Sequence, residues 1–167
     1  MNVCGVSHDV PLLRGEEPFG KGKELSEYFY GPDGFGNALL DYQAANKDYL
    51  TPNVREESAV DFLIRISKEH VGEITILGLA PLTNLAEAQK KDASFASNVR
   101  DIVLLGGTYL AQGNTDYYSS EYNFFKDPMG AKIVFDNFLD ITMVPIECCR
   151  VFRSMPADVV EKPFVQT

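Results

Sequence analysis

The segment "EITILGLAPLTNLA", residues 73–86, decides the fold because an apolar run passes directly into a helical pattern. Its first half, "EITILGL" at 73–79, does not alternate apolar and polar side chains. That pattern predicts a strand buried on both faces, as in a parallel sheet. The second half places Leu82, Leu85 and Ala86 at helical spacing. A strand followed by a helix is the repeating unit of an α/β fold.

Two further apolar runs repeat this unit along the chain, "DIVLLGG" at 101–107 and "DITMVPI" at 140–146. Helical spacing also relates two sets of apolar residues, namely Ala59, Phe62, Leu63 and Ile66, and then Ala131, Val134, Phe135 and Phe138. Asp127 followed by Pro128 predicts the capped start of the second of these helices. Residues 1–167 are therefore predicted to form a single α/β domain, a Rossmann-like, mostly parallel sheet flanked by helices.

Composition narrows the classes of partner. The 167 residues include 24 acidic and 15 basic side chains, so the formal charge is −9, which disfavours nucleic acid and anionic membranes as partners. No run approaches the roughly 20 apolar residues of a membrane span, and residues 1–20 lack the pattern of an export signal. Three cysteines without a C-x-x-C spacing predict reduced thiols. These features predict a cytoplasmic protein.

Ligands of open parallel sheets bind beyond the carboxyl ends of the strands. That rule selects three loops, "GLAPLTN" at 78–84, "GGTYLAQGNTDYYSSEYN" at 106–123 and "PIECC" at 145–149. The second loop is long and polar, with Asn114, Asp116, Glu121 and Asn123. Carboxylates and amides suit a polyhydroxylated ligand such as a sugar. The asparagines could equally support turns, and spacing alone leaves both interpretations open.

Six motifs occur in order along the chain: "VPLLRG" at 10–15, "GPDGFG" at 31–36, "LGLAPLTNLA" at 77–86, "VLLGGTYLAQGN" at 103–114, "EYNFFKDPMGAKIVF" at 121–135 and "ITMVPIE" at 141–147. Together they resemble the inosine-uridine preferring nucleoside hydrolases. The resemblance implies cleavage of the N-glycosidic bond of ribonucleosides, which gives ribose and free base. It also implies a calcium ion that holds the ribose 2′ and 3′ hydroxyls and activates water.

The same resemblance implies roles for individual residues. Asn114 and Glu121 resemble the pair that binds the ribose 5′ hydroxyl, and Asn123 resembles the asparagine that contacts the lower ribose hydroxyls. Leu105 takes the place of a methionine that lines the ribose pocket. Leu79 falls where the family supplies a backbone carbonyl to calcium. No residue is assigned a catalytic role, and Tyr30, where many members have histidine, leaves base recognition undetermined.

Two family features have no counterpart in the sequence. The aspartate-rich pattern D-T-D-x-G-x-D-D does not occur, and neither does the late histidine and aspartate pair. We therefore expect the central part of a nucleoside hydrolase domain that is inactive as written. The alternative is a catalytically dead module that binds nucleosides or pairs with a full-length subunit. A missing first strand would leave apolar surface uncovered, which predicts association with another copy as a homo-oligomer.

Overall fold

A computed structural model of the chain describes residues 10–18, 54–115 and 119–152. Tyr30, Asp116 and the "GPDGFG" motif at 31–36 lie outside the described residues. The strands are β1 Leu12–Arg14, β2 Val54–Ser58, β3 Thr75–Gly78, β4 Asp101–Leu105 and β5 Ile141–Val144. The helices are α1 Ala59–Glu69, α2 Thr83–Lys91, α3 Phe95–Asn98, α4 Tyr122–Lys126, α5 Pro128–Asn137 and α6 Ile146–Phe152.

Two parallel sheets organise these elements. Strand β1 pairs with β2, and β3, β4 and β5 form a three-stranded sheet in that order. Gly78 lies opposite Leu104, and Leu105 lies opposite Val144, so the carboxyl ends of all three strands meet at one edge. The α/β class with parallel sheets flanked by helices is therefore confirmed. In the described part of the chain, no helix is long and apolar enough to cross a membrane.

The core lies on one face of the three-stranded sheet. Ile102 and Leu104 of β4 are fully buried there, with Leu85 of α2 and Val134 of α5 in the same apolar cluster. The prediction that the strands are buried on both faces is wrong for β3, because Leu77 is 63% exposed. The described helices pack core residues against only one face of the three-stranded sheet. An apolar run in the sequence does not reveal whether one or both faces of its strand will be covered.

Helix α1 turns a different face to the core from the one predicted. The sequence predicts that the core-facing residues are Ala59, Phe62, Leu63 and Ile66. In the structure the buried residues are Val60 and Ser67, and Leu63 and Ile64 pack against the core. The predicted core face of α1 is therefore displaced by one residue along the helix. Phe62 is half-buried because the Arg65 guanidinium covers its ring, 5.3 Å from the centroid.

Helix α5 begins as the sequence predicts. The Asp127 Oδ1 atom accepts a hydrogen bond from the Gly130 N–H at 2.8 Å, and Pro128 occupies the first turn. The Asp127 Oδ2 atom accepts from the Thr83 hydroxyl at 2.7 Å, which ties the start of α5 to the start of α2. The predicted apolar face is correct except for Phe135, which is 43% exposed.

Candidate functional site

The loop after β4 opens with two glycines that the site geometry requires. Gly107 has φ +73, a left-handed conformation that glycine adopts without steric cost. A Cβ at Gly107 would lie 3.1 Å from the Phe124 ring, and one at Gly106 would lie 2.6 Å from the same ring. Any side chain at Gly106 would therefore displace Phe124. The two glycines let the loop backbone approach α4 closely.

Glu121 joins this loop to α4. Its side chain is 6% exposed and accepts three backbone hydrogen bonds. The Oε1 atom accepts from the Asn123 N–H at 3.0 Å, and Oε2 accepts from the N–H groups of Gly107 at 3.0 Å and Phe124 at 3.2 Å. A carboxylate has about four acceptor sites. Within the described residues, one site on Oε1 is therefore left for a ligand hydroxyl.

Asn123 and Leu105 lie beside Glu121. The Asn123 Nδ2 atom donates to the Leu105 carbonyl at 2.8 Å, and Asn123 is buried. This bond fixes the amide against the end of β4. In the described part of the chain its Oδ1 atom accepts no hydrogen bond, so the amide retains an acceptor for a ligand. Of the predicted site residues, Glu121, Asn123 and Leu105 thus come together.

Asn114 approaches the same corner from the other side of the loop. Its Oδ1 atom accepts from the Tyr122 N–H at 2.8 Å, next to Glu121, and its backbone N–H donates to the Ser120 carbonyl at 3.1 Å. Gly113 permits this approach, because a Cβ there would overlap the backbone of Ser120. Asn114 is exposed and does support a turn. Its additional role toward a ligand stays a prediction.

Glu147 belongs to this end of the sheet, and the sequence analysis missed it. Segment 145–149, predicted as a loop, instead begins α6 at Ile146. Glu147 Oε1 accepts from the Thr108 hydroxyl and from the Leu110 N–H, the latter at 3.1 Å. Burial raises the pKa of the Glu147 carboxyl, but the hydrogen bonds from Thr108 and nearby backbone N–H groups prevail and hold the pKa below its ordinary value.

Glu121, Asp127 and Glu147, here called the loop acids, are all buried at this end of the sheet. Within the described ranges, none of them forms an ion pair with lysine, arginine or histidine. Their hydrogen-bond donors are backbone N–H groups and threonine hydroxyls. The site end of the molecule therefore concentrates carboxyl groups that no basic side chain of the described residues pairs with.

Leu79 immediately follows the Gly78–Leu104 pair, at the edge where the strands end. Its side chain is 60% exposed. Among the described residues, no group of three or more histidine, cysteine, aspartate or glutamate side chains could hold a metal ion. Calcium takes about 6 to 8 oxygen ligands, several of them carboxylates. A single Leu79 carbonyl does not meet that requirement, so the described residues do not fit a calcium ion.

The parallel α/β fold and this acid- and amide-lined loop agree with what comparison with known proteins shows. The family model of the inosine-uridine preferring nucleoside hydrolases matches residues 1–166. The chain belongs to this family. The resemblance predicted from the ordered motifs is thereby confirmed.

Plant proteins are among its relatives. The chain is 44% identical over 138 residues to the probable uridine nucleosidase 2 of Oryza sativa subsp. japonica, covering 81% of this chain and 39% of that protein. It is 38% identical over 155 residues to the uridine nucleosidase 1 of Arabidopsis thaliana, covering 92% and 44%. The solved plant nucleoside hydrolase PpNRh1 matches with a TM-score of 0.68 and 36% identity, covering 83% of this chain and 42% of that one. The chain spans less than half the length of these relatives.

Proposed function

We propose that this chain supplies the ribose-binding part of an N-ribohydrolase, which cleaves ribonucleosides to ribose and free base. The observation that carries the proposal is the corner formed by Glu121, Asn123 and Leu105, where buried polar groups are anchored by backbone and keep acceptors for hydroxyls. Membership of the nucleoside hydrolase family supports it. Because the chain spans less than half of its relatives, the activity is assigned to the complete hydrolase.

Each residue of the corner has a proposed partner on the ribose. The remaining acceptor site of Glu121 and the exposed amide of Asn114 bind the 5′ hydroxyl. Asn123 accepts from the lower ribose hydroxyls through Oδ1 while its Nδ2 stays on the Leu105 carbonyl. The Leu105 side chain is the proposed apolar neighbour of the ribose. Such a division is chemically sound, because carboxylates accept from hydroxyls while amides both donate and accept.

The loop acids, which pair with no basic side chain among the described residues, support the proposed reaction. When the base departs, positive charge develops on the ribose ring, as in other glycosidic cleavages with an oxocarbenium-like transition state. Negative groups held in place before the reaction stabilise such charge at little reorganisation cost. The loop acids are held in this way by backbone and hydroxyl donors. They contribute electrostatic stabilisation, and none is assigned proton transfer or attack.

Calcium remains a prediction from the resemblance. The Leu79 carbonyl is the candidate ligand in the described part of this chain, and the remaining oxygen ligands would have to come from elsewhere. Adding a calcium chelator to an assay of ribose release from uridine therefore tests calcium dependence.

Ribose release from uridine by a catalytically complete hydrolase that carries this sequence tests the proposal, since the two plant relatives are named uridine nucleosidases. Asn114→Ala should lower kcat/KM about 2- to 10-fold, the cost of one neutral hydrogen bond. Asn137→Ala is the matched control, because Asn137 is an exposed asparagine on α5 that also makes side-chain hydrogen bonds. Equal effects of the two variants would remove Asn114 from the site. No release from uridine or inosine by that complete hydrolase would contradict the proposed function.

A catalytically dead nucleoside-binding or subunit-pairing module is the second candidate function. The absence of a calcium donor set among the described residues favours it. Binding of uridine without ribose release would identify this module. We also propose self-association through the apolar side chains of Leu77 and Leu79, which are 63% and 60% exposed, and sedimentation at several concentrations tests it. The proposed compartment is the cytoplasm, which fluorescent tagging tests.

A further inference from the structure

The turn at 108–112 contains a strained residue. Ala111 has φ +52, in the left-handed region that residues with a Cβ rarely adopt, and it is the single such non-glycine among the described residues. A backbone of this kind persists only where the surrounding structure holds it in place. Asn114 follows three residues later, so the path of this turn bears on the position of Asn114, which is also held by its own bonds to Ser120 and Tyr122.

Hydrogen bonds hold both neighbours of Ala111, and both lead to Glu147. On one side, the Leu110 N–H donates directly to Glu147 Oε1 at 3.1 Å. On the other side, the Gln112 N–H donates to Thr108 Oγ1 at 3.0 Å, and the Thr108 hydroxyl donates to the same Glu147 Oε1. A single carboxylate oxygen on α6 therefore closes the turn from both ends.

Burying the Glu147 carboxylate costs free energy, and the packing of its side chain alone does not explain why a glutamate stands here. Its side chain is 8% exposed, and its Oε2 atom is buried with no hydrogen-bond partner in the described part of the chain. A buried acceptor without a partner is unfavourable, so an apolar side chain would fill the same space at lower cost. A leucine of similar size would lack the hydrogen bonds that Glu147 Oε1 makes with the strained turn.

We propose that Glu147 is a positioning residue for ribose recognition, which holds the 108–112 turn so that Asn114 meets the ribose 5′ hydroxyl beside Glu121. The inference rests on the proposed ribose site. Glu147 does not touch the sugar in this account. It acts through Thr108 and Leu110, and its effect on sugar binding is confined to recognition of the 5′ hydroxyl.

The test measures how well the protein distinguishes methyl β-D-ribofuranoside from its 5-deoxy analogue, using calorimetric Kd values for the 167-residue chain. Wild-type protein should bind the ribofuranoside about 10- to 100-fold more tightly, because the analogue lacks the hydroxyl that Glu121 and Asn114 hold. In Glu147→Leu this ratio should fall at least about 5-fold. Glu147→Gln keeps an acceptor oxygen for Thr108 and Leu110, so its ratio should stay within about 2-fold of wild type.

Control variants separate positioning from a general loss of stability. Glu73→Leu, an exposed glutamate with a 73% exposed side chain, should leave the ratio unchanged. If the role of Glu147 were purely structural, Glu147→Leu would weaken binding of both sugars equally and the ratio of their Kd values would stay constant. That result would overturn the inference. Equal loss of the ratio in the leucine and glutamine variants would also overturn it, because charge rather than hydrogen bonding would then be responsible. If wild-type protein binds neither sugar, the proposed ribose site itself is wrong.

Amide hydrogen exchange tests the turn without any ligand. The N–H groups of Leu110 and Gln112 should exchange at least about 10-fold faster in Glu147→Leu than in wild type, while Val134 of α5 keeps its rate. Unchanged exchange at Leu110 and Gln112 would show that Glu147 does not hold the turn and would overturn the inference.

Discussion

The loop acids and the acids on the helix surfaces carry the same charge but have different partners. Glu69, Asp92 and Asp136, here called the surface acids, pair with Arg65, Lys68 and Lys132 (Lys132 to Asp136 at 2.6 Å). Of these three, Asp92 is half-buried at the end of α2 and also accepts from the Ser94 N–H and hydroxyl. The loop acids Glu121, Asp127 and Glu147 instead accept from backbone N–H groups and hydroxyls. The first set pairs with basic side chains, and within residues 10–18, 54–115 and 119–152 the second set does not.

We propose that this difference separates acids of the helix surfaces from acids that shape the ribose site. An exposed ion pair contributes little to stability because water screens it and both side chains lose freedom. A buried carboxylate with several backbone donors fixes the geometry of the chain around it and keeps its charge. In the proposed function, the loop acids meet the developing positive charge and the surface acids do not. The following predictions test that division.

Glu121→Ala should have the largest effect. It leaves the N–H groups of Gly107, Asn123 and Phe124 without their acceptor and removes the proposed partner of the 5′ hydroxyl. In a catalytically complete hydrolase, kcat/KM should fall roughly 10- to 100-fold, the value of one charged hydrogen bond. Steady-state kinetics with uridine measures this.

The matched surface variant is Glu69→Ala, which breaks an exposed pair with Arg65. Its kcat/KM should stay at the wild-type value. If the two variants lose activity equally, the division between loop acids and surface acids has no functional meaning.

Asp127→Ala should be the next largest effect, measured on stability. The variant loses the cap of α5 and the bond to the Thr83 hydroxyl, so the free energy of unfolding should fall by about 1–2 kcal/mol. Asp136→Ala removes the pair with Lys132 on the same helix and should cost about 0.5 kcal/mol or less. Urea unfolding measures both, and a larger loss at Asp136 would contradict the account.

The smallest effect concerns acid titration and salt. The Lys68 side chain, with Ser94, lowers the pKa of Asp92 to about 2. The pKa of Glu147 is also lowered, because its hydrogen bonds outweigh the opposing effect of burial. Both folded-state values lie below the unfolded ones, so the stability that each group contributes is present above its ordinary pKa of about 4. It is lost as pH falls through the folded value, which for Asp92 extends to about pH 2.

Salt should separate these two titrations. In 1 M NaCl the screening length is about 3 Å, so the pKa of Asp92 should rise toward its ordinary value as the pairing with Lys68 weakens. Glu147 has neutral donors and should titrate almost as before. Carbon-13 NMR of the two carboxyl groups follows both titrations, and an equal salt response would show that Glu147 relies on charge pairing after all.

The sequence predicts the loop acids unevenly, for physical reasons. Asp127 is predictable because a cap and a proline are neighbours in the chain. Glu121 is predictable from its motif, although its bond to Gly107 is not. Glu147 escapes prediction because its partners, Thr108 and Leu110, lie 39 and 37 residues away and only the fold brings them together.

The sheet shows the same limit. Apolar runs correctly predict three parallel strands, because side-chain hydrophobicity and β-branching are properties of the local sequence. Which faces are covered depends on how many helices pack on each side. Leu77 on β3 and the one-residue shift at Val60 on α1 are both errors of this kind.

The most direct test of the account is NMR titration of the 167-residue chain with methyl β-D-ribofuranoside. We predict that the amide signals of Gly107, Asn123 and Phe124, which surround the Glu121 carboxylate, shift with the sugar and shift much less with its 5-deoxy analogue. The amides of Lys68 and Asp92 at the surface should not respond. Equal shifts with both sugars, or shifts only at the helix surface, would contradict a ribose site at the loop acids.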